Sequence, residues 1–105
     1  MSDFLDALSR RVLIFDGAAG TNLQNEHLTA DDFGGPDLEG CNEILVETRP
    51  DVIAGLHRSF FEVGCDAVET NTFGSFASVL AEYDIADKAY DLSATAAQLA
   101  RGVAD

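Results

Sequence analysis

The sequence predicts an α/β fold in which helices alternate with parallel strands. Two short segments, 12–15 and 66–70, are predicted as strands, and the first of them is an apolar run followed by a glycine-containing turn. Between them lies a stretch with the helical spacing of an amphipathic helix. Because a strand, a helix and a second strand in this order form a right-handed parallel crossover, both strands should end at the same edge of one sheet.

Composition limits the class of protein. The chain has 105 residues, which is enough for one small domain, and its 47% hydrophobic content allows a packed core. The formal net charge is −13, with only 6 Lys and Arg residues. Binding to nucleic acid or to an anionic membrane surface is therefore not predicted, because both need a basic face.

The sequence features that report on location favour the cytoplasm. The first residues lack a basic segment followed by an apolar one, so no secretory signal is predicted. No run approaches the roughly 18 apolar residues of a membrane-spanning helix. The two cysteines, Cys41 and Cys65, are far apart, which fits a reducing compartment better than a disulfide framework.

The strongest helix signal covers residues 49–63. Thr48 is predicted to cap this helix, Pro50 lies in its first turn, and Gly64 is predicted to end it. The apolar stripe of the helix consists of Ile53, Leu56, Phe60 and Val63.

Four other segments complete the prediction. Residues 3–10 are predicted as a short leading helix and residues 21–26 as one helical turn, whereas residues 27–42 are predicted to be irregular. Residues 76–83 have one apolar face that is interrupted near Asp84, and a last helix runs from about residue 86 toward the C-terminus.

These elements amount to two strand–helix units. A (β/α)₈ TIM barrel uses roughly 30 residues for each of its eight units, so the chain would supply the first two. Two strands alone would leave unpaired edges, and the predicted fold is therefore incomplete as given.

Polar residues follow both predicted strands. Asp16 begins a glycine-containing turn after the first strand, and Glu69, Thr70 and Asn71 end the second. Ligands of α/β proteins bind at the C-terminal ends of parallel strands, so we expect these two clusters to converge on one binding site.

Structural roles are open for both carboxylates of this predicted site. Asp16 could instead cap the short helical turn that follows it. Glu69 could instead face a neighbouring backbone amide or an arginine, because an unpaired carboxylate in a barrel mouth is costly unless it is used.

The cysteines and histidines give weaker signals. Cys41 and Cys65 lack the close pairing of a structural zinc site, so neither is predicted to bind a metal. His57 lies beside the apolar stripe of its helix and is predicted to be a packed or surface residue. His27 lies in the irregular segment and carries no clear signal.

Five segments in order carry a resemblance to a known family. They are Phe15-Asp16-Gly17-Ala18-Ala19-Gly20-Thr21, Asp31-Asp32-Phe33, Gly40-Cys41-Asn42-Glu43, Thr48-Arg49-Pro50-Asp51-Val52-Ile53 and Glu69-Thr70-Asn71-Thr72-Phe73. Together they resemble the N-terminal end of the homocysteine S-methyltransferase family, and within it the cobalamin-dependent branch. The resemblance runs from about Arg11 to Asp105.

The family implies a TIM barrel that binds homocysteine and zinc, with cysteine ligands to zinc that lie beyond this chain. In the cobalamin-dependent branch methylcobalamin donates the methyl group and a neighbouring folate-binding domain recharges it. The implied cofactors are therefore zinc and cobalamin in a longer parent protein. The implied partners are homocysteine, the remainder of the barrel, and the cobalamin and folate domains.

The same resemblance assigns roles to individual residues. Asp16 and Gly17 would contact the amino-acid end of homocysteine, and Thr70 would help hold its carboxylate. A backbone N–H of the Gly17-Ala18 turn is a further carboxylate donor, and Glu69 and Asn71 flank these contacts. The sequence departs from the commonest family pattern at Ala18 and at Ala19, where Gly and Met are frequent.

The predicted function is therefore methyl transfer to homocysteine by the parent protein. This segment would supply part of the substrate site, no catalytic residue and no metal ligand, so the isolated chain is expected to be inactive. One alternative is a non-catalytic truncated fragment or interaction module. Another is a family member that uses a different methyl donor.

Overall fold

The computed structural model describes residues 2–105, which are mainly helical. The α-helices are α1 (Ser2–Arg10), α2 (Ala19–Gln24), α3 (Leu45–Thr48), α4 (Pro50–Glu62), α5 (Ala77–Leu80) and α6 (Ala89–Ala104). Short 3₁₀ helices cover Ala30–Phe33, Pro36–Leu38, Asn42–Ile44, Ala81–Tyr83 and Ala86–Lys88.

The predicted α/β fold, with two βα units of a TIM barrel, is wrong for this structure. Within residues 2–105 neither 12–15 nor 66–70 forms a strand, and the two segments meet only in one parallel bridge between Phe15 and Ala67. The bridge consists of the Asp16 N–H donating to the Ala67 carbonyl (3.2 Å) and the Ala67 N–H donating to the Ile14 carbonyl (3.3 Å).

Aspartate side chains accept hydrogen bonds from backbone N–H groups on both sides of this bridge. The Asp66 carboxylate accepts the Ile14 N–H at 2.8 Å, and the Asp16 carboxylate accepts the Glu69 N–H at 2.9 Å. These donors are thus satisfied by side chains instead of by a longer backbone ladder. The side chain of Val12 is 79% exposed, so the segment also lacks the burial that normally stabilises a strand.

The predicted helix over 49–63 is confirmed as α4, but its predicted cap is wrong. Thr48 is the last residue of α3, and its hydroxyl donates to the Ile44 carbonyl at 3.3 Å. Arg49 occupies the N-cap position instead, with Pro50 as the first helical residue. The Arg49 guanidinium binds Asp51 through two bonds of 2.9 Å and Asp32 at 2.6 Å, which joins the start of α4 to the segment before it.

Gly64 ends α4 as predicted. It adopts φ of +105°, and the Cys65 N–H returns to the Phe60 carbonyl at 3.0 Å. Only glycine adopts this left-handed conformation without strain, because it has no Cβ atom.

Replacing Gly64 with alanine is therefore expected to destabilise the protein by about 1 kcal/mol, measured as a lower midpoint of thermal unfolding. Gly102 provides the matched control. It lies inside α6 with open space around the position of a Cβ atom, so Gly102→Ala should leave stability unchanged or raise it. Equal effects of the two substitutions would contradict the role given to Gly64.

The remaining helix predictions agree with the structure in position. The leading helix is α1, the predicted turn at 21–26 overlaps α2, and the last predicted helix corresponds to a 3₁₀ turn followed by α6. The segment at 76–83 is split into α5 and a 3₁₀ turn, which Asp84 ends at φ of +60°. Two 3₁₀ turns interrupt the irregular segment 27–42.

The core lies where α3, α4 and α6 pack against one another. Its fully buried side chains include Leu45, Ile53, Leu80, Leu92 and Ala96. None of the helices described is long and apolar enough to cross a membrane. Helix α4 contributes residues both to this core and to the cavity described below.

Candidate functional site

One cavity of about 500 Å³ lies beside the parallel bridge. Its wall is formed by residues 15–19, by Leu56 and His57 of α4, and by residues 68–73. All six residues predicted from the sequence line it, namely Asp16, Gly17, Ala18, Glu69, Thr70 and Asn71. The predicted convergence of the two polar clusters is therefore present in the structure, and the binding role of the residues stays a prediction.

The first wall is the turn between the bridge and α2. Ala18 precedes α2 in a left-handed conformation, with φ of 51° and ψ of 40°, and α2 has no side-chain cap. Asp16 does not cap the helix, because its Oδ1 atom accepts the Glu69 N–H at 2.9 Å. Asp16 thus ties the two predicted clusters together.

The second wall is the segment that follows the bridge residue Ala67. The Thr70 and Thr72 hydroxyls are 2.7 Å apart in a mutual hydrogen bond. Among the described residues, no hydrogen bond or ion pair involves the Glu69 carboxylate, which is exposed. The expected alternative for Glu69, a backbone amide or arginine partner, is therefore not found in this part of the chain.

Residues 42 and 43 hold this second wall in place. The Asn71 amide donates to the Asn42 carbonyl at 2.8 Å, and the Gly74 N–H donates to Glu43 Oε2 at 3.0 Å. A Cβ atom on Gly74 would lie 3.1 Å from Glu43 Oε2 and 3.0 Å from Val79 Cγ1, so glycine permits this close approach. Sequence reasoning gave Glu43 no role, although it belongs to one of the segments that carry the family resemblance.

His57 also lines the cavity, although the sequence predicted it only as a packed or surface residue. Its side chain is only 2% exposed, and neither ring nitrogen has a hydrogen-bond partner among the described residues. Burial lowers the pKa of His57, and the nearby Asp16 carboxylate opposes that shift. A signal was present, because His57 follows Ile53 by four residues and so shares the buried face of α4.

The two cysteines have separate environments. Cys41 is buried, its thiol lies 3.9 Å from Glu43 Oε1, and burial raises the pKa of that thiol. Cys65 is partly buried, with its sulfur 3.8 Å from the Phe15 carbonyl oxygen. Across residues 2–105 no three His, Cys, Asp or Glu side chains are grouped so that they could hold a metal ion. The residues present therefore do not fit a zinc site.

Comparison with known proteins identifies the class. The family model described as homocysteine S-methyltransferase matches residues 13–105, so the chain belongs to that family. The family membership predicted from the five segments is confirmed.

Two curated relatives are methionine synthases. The chain is 61% identical over 104 residues to "Methionine synthase" of Mycobacterium tuberculosis (strain ATCC 25618 / H37Rv). The aligned residues cover 99% of this chain and 9% of that protein. The chain is 59% identical over 104 residues to "Methionine synthase" of Mycobacterium leprae (strain TN), covering 99% of this chain and 8% of the relative. The chain thus spans less than a tenth of the length of either relative.

Proposed function

We propose that this chain is an N-terminal segment of a methionine synthase and forms part of its homocysteine-binding site. The parent protein would transfer a methyl group from methylcobalamin to the thiolate of homocysteine, giving methionine. The observation that carries the proposal is the convergence of Asp16 with residues 69–71 on one cavity, in a chain of this family.

In this proposal Asp16 binds the ammonium group of homocysteine. One oxygen of the carboxylate accepts the Glu69 N–H, and the other has no hydrogen-bond partner among the residues described. A carboxylate held in place by a backbone amide is a preorganised acceptor for a cation. Glu69 adds a second negative charge to the same wall.

The carboxylate of homocysteine would be held by neutral donors. The Thr70 hydroxyl can donate to it, because either of the paired Thr70 and Thr72 hydroxyls can act as the donor in their bond. Gly17 and Ala18 line the same cavity, so their backbone amides are further candidate donors. Asn71 has a positioning role, since its amide group is bound to the Asn42 carbonyl.

Zinc and cobalamin enter the proposal only through the parent protein. The described residues offer no metal site, so the ligands to zinc would belong to other parts of that protein. Bound zinc would lower the pKa of the homocysteine thiol and so supply the activated sulfur. The chain by itself is therefore proposed to be inactive in methyl transfer.

Substituting Asp16 with asparagine in the full-length protein tests the proposed function. Asparagine keeps an oxygen for the Glu69 N–H and removes the negative charge, so L-homocysteine should bind about tenfold more weakly in isothermal titration. Asp91→Asn is the matched control, because Asp91 is exposed on α6 and away from the cavity. Unchanged affinity in Asp16→Asn would contradict the proposed role.

The alternative of an interaction module is favoured by one observation. Several large apolar side chains of α1 and of the segment after it are exposed, namely Phe4, Leu5, Leu8, Val12 and Ile14. In a methionine synthase the same surface would pack against the remainder of the protein, so exposure alone does not separate the two functions. Homocysteine titration separates them, because an interaction module would not bind this amino acid.

The alternative of another methyl donor within the family has less support. Both relatives reported above are named methionine synthase and align with nearly the whole of this chain.

A further inference from the structure

Thr70 and Thr72 form a closely held pair in the wall of the cavity. Their hydroxyl oxygens are 2.7 Å apart, and the Thr72 N–H donates to the Thr70 carbonyl at 2.9 Å. The backbone contact closes a tight turn, which keeps the two side chains next to each other. Both residues line the cavity of about 500 Å³, and Thr70 is the more exposed of the two.

The protons of this pair limit what its hydroxyls can bind. A threonine hydroxyl carries one proton, so the bond between the two hydroxyls uses one of the two protons that they have. Among the described residues neither hydroxyl has another hydrogen-bond partner. One hydroxyl therefore retains a proton that it can donate to a bound ligand, and the other does not.

The charges of the cavity wall indicate which ligand group takes that proton. The described residues that line the cavity include two carboxylates, Asp16 and Glu69, and neither Lys nor Arg. A carboxylate of a ligand must therefore be held by neutral N–H and O–H donors, and the hydroxyls in this wall are those of Thr70 and Thr72. Because a hydrogen bond to a carboxylate is stronger than one between neutral groups, such a ligand would select the arrangement that points a proton at it.

The positions of the two residues indicate which hydroxyl donates to the ligand. Thr70 is exposed, whereas Thr72 is partly buried. Thr70 also follows Glu69, whose N–H is bound to Asp16, so it lies next to the contact that joins the two cavity walls. With Thr70 as the donor to the ligand, Thr72 must be the donor to Thr70 Oγ. Accepting a hydrogen bond polarises a hydroxyl and makes it a better donor, so this order strengthens the contact with the ligand.

We propose that Thr72 is a positioning residue of this site, whose hydroxyl donates to Thr70 Oγ and so directs the Thr70 proton to the carboxylate of a bound α-amino acid. The inference rests on the proposed function, because it takes that amino acid to be homocysteine and Thr70 to be a donor to its carboxylate. It adds a residue that does not contact the ligand and acts only through Thr70.

Substitutions of Thr72 in the full-length protein, titrated with two ligands, test this role. The ligands are L-homocysteine and 3-aminopropane-1-thiol, which is the same molecule without its carboxylate. Thr72→Val removes the hydroxyl and keeps the shape of the side chain, whereas Thr72→Ser keeps the hydroxyl. Thr95→Val is the matched control, because Thr95 is a partly buried threonine of α6 outside the cavity.

Thr72→Val should bind L-homocysteine about fivefold more weakly in isothermal titration and should bind 3-aminopropane-1-thiol as the unsubstituted protein does. Thr72→Ser should retain most of the affinity for L-homocysteine, and Thr95→Val should retain all of it. A purely structural role of Thr72 in the turn predicts instead an equal loss for both ligands in Thr72→Val. Such an equal loss would overturn the inference.

A double-mutant cycle tests whether Thr72 acts through Thr70. Thr70→Val removes the proposed donor to the carboxylate and should weaken the binding of L-homocysteine about tenfold. Adding Thr72→Val to Thr70→Val should cause no further loss, because the hydroxyl that Thr72 orients is already absent. Additive losses in the double variant would mean that Thr72 acts independently of Thr70, which contradicts the inference.

A second pair of variants covers the case in which Thr72→Val does not fold. Thr72→Ser and Thr72→Cys differ only in oxygen against sulfur, and a thiol is a much weaker hydrogen-bond donor than a hydroxyl. The preference for L-homocysteine over 3-aminopropane-1-thiol should therefore be smaller in Thr72→Cys than in Thr72→Ser. The same preference in both variants would also count against the role given to Thr72.

The outcomes separate this inference from the proposed function. If Asp16→Asn and Thr70→Val weaken the binding of L-homocysteine and Thr72→Val does not, the inference about Thr72 is wrong and the proposed function stands. If the unsubstituted protein does not bind L-homocysteine, both proposals fail.

Discussion

Replacing Ile53 with alanine is expected to destabilise the protein by about 3–4 kcal/mol. Ile53 is fully buried and belongs to the core cluster with Leu45, Leu80 and Leu92. Removing most of its side chain deletes apolar contacts and leaves a cavity, because neighbouring elements relax only partly. The same helix lines the cavity with Leu56 and His57, so loosening α4 should also weaken homocysteine binding.

Hydrogen-exchange mass spectrometry on the full-length protein measures this effect locally. Peptides from α4 and α6 should lose amide protection in Ile53→Ala, since these helices pack against each other. Arg58→Ala, on the exposed side of α4, is the matched control and should change stability by less than about 0.5 kcal/mol. Similar protection in the two variants would show that Ile53 does not hold α4 in the core.

The longest helices could be predicted from the sequence because local signals determine them. The stripe of Ile53, Leu56 and Phe60 defined α4, and Gly64 fixed its end through a backbone conformation that favours glycine. Thr48 was misassigned as a cap because the short α3 was not predicted. That four-residue helix rests on the burial of Leu45 and Val46, which is a tertiary effect.

The strands were predicted wrongly because their formation depends on pairing, and pairing is not local. The sequence shows that segment 12–15 is apolar, but not that the Ile14 N–H binds a side-chain carboxylate from Asp66. The sequence likewise does not show that, at the other end of the bridge, the Asp16 carboxylate accepts a hydrogen bond from the Glu69 N–H. Competition of aspartate side chains with backbone acceptors is a known way to divert a segment from regular structure.

The polar residues of the candidate site could be predicted from the sequence, but the residues that hold them in place could not. Asp16 and residues 69–71 were expected to converge, and they line one cavity. His57 was predicted to be a packed or surface residue, because it lies beside the apolar stripe of its helix. Only the structure shows that His57 lies at the cavity and that its buried ring nitrogens have no hydrogen-bond partner among the described residues. Glu43 lies far from Gly74 in sequence, so no local pattern predicted their contact.

The contact between Glu43 and Gly74 leads to the second large expected effect. Gly74 is buried, and its N–H donates to Glu43 Oε2 at 3.0 Å. In Glu43→Ala this donor would be left without its acceptor, which should destabilise the protein by about 2–3 kcal/mol. Residues 70–73 form a cavity wall just before Gly74, so homocysteine affinity should fall as well.

Two further substitutions identify the cause of that loss. Glu43→Gln keeps an oxygen that can accept the Gly74 N–H, so its effect on urea unfolding and on homocysteine titration should be smaller than that of Glu43→Ala. Glu47→Ala is the matched control, because Glu47 forms only a surface ion pair with Lys88 at 3.3 Å, and such pairs contribute about 0–1 kcal/mol. If Glu43→Ala and Glu47→Ala behaved alike, the Glu43 carboxylate would not be what holds this wall. A large effect in Glu43→Ala with little in Glu43→Gln would assign the wall's position to the hydrogen bond itself, since the charge is absent from both variants.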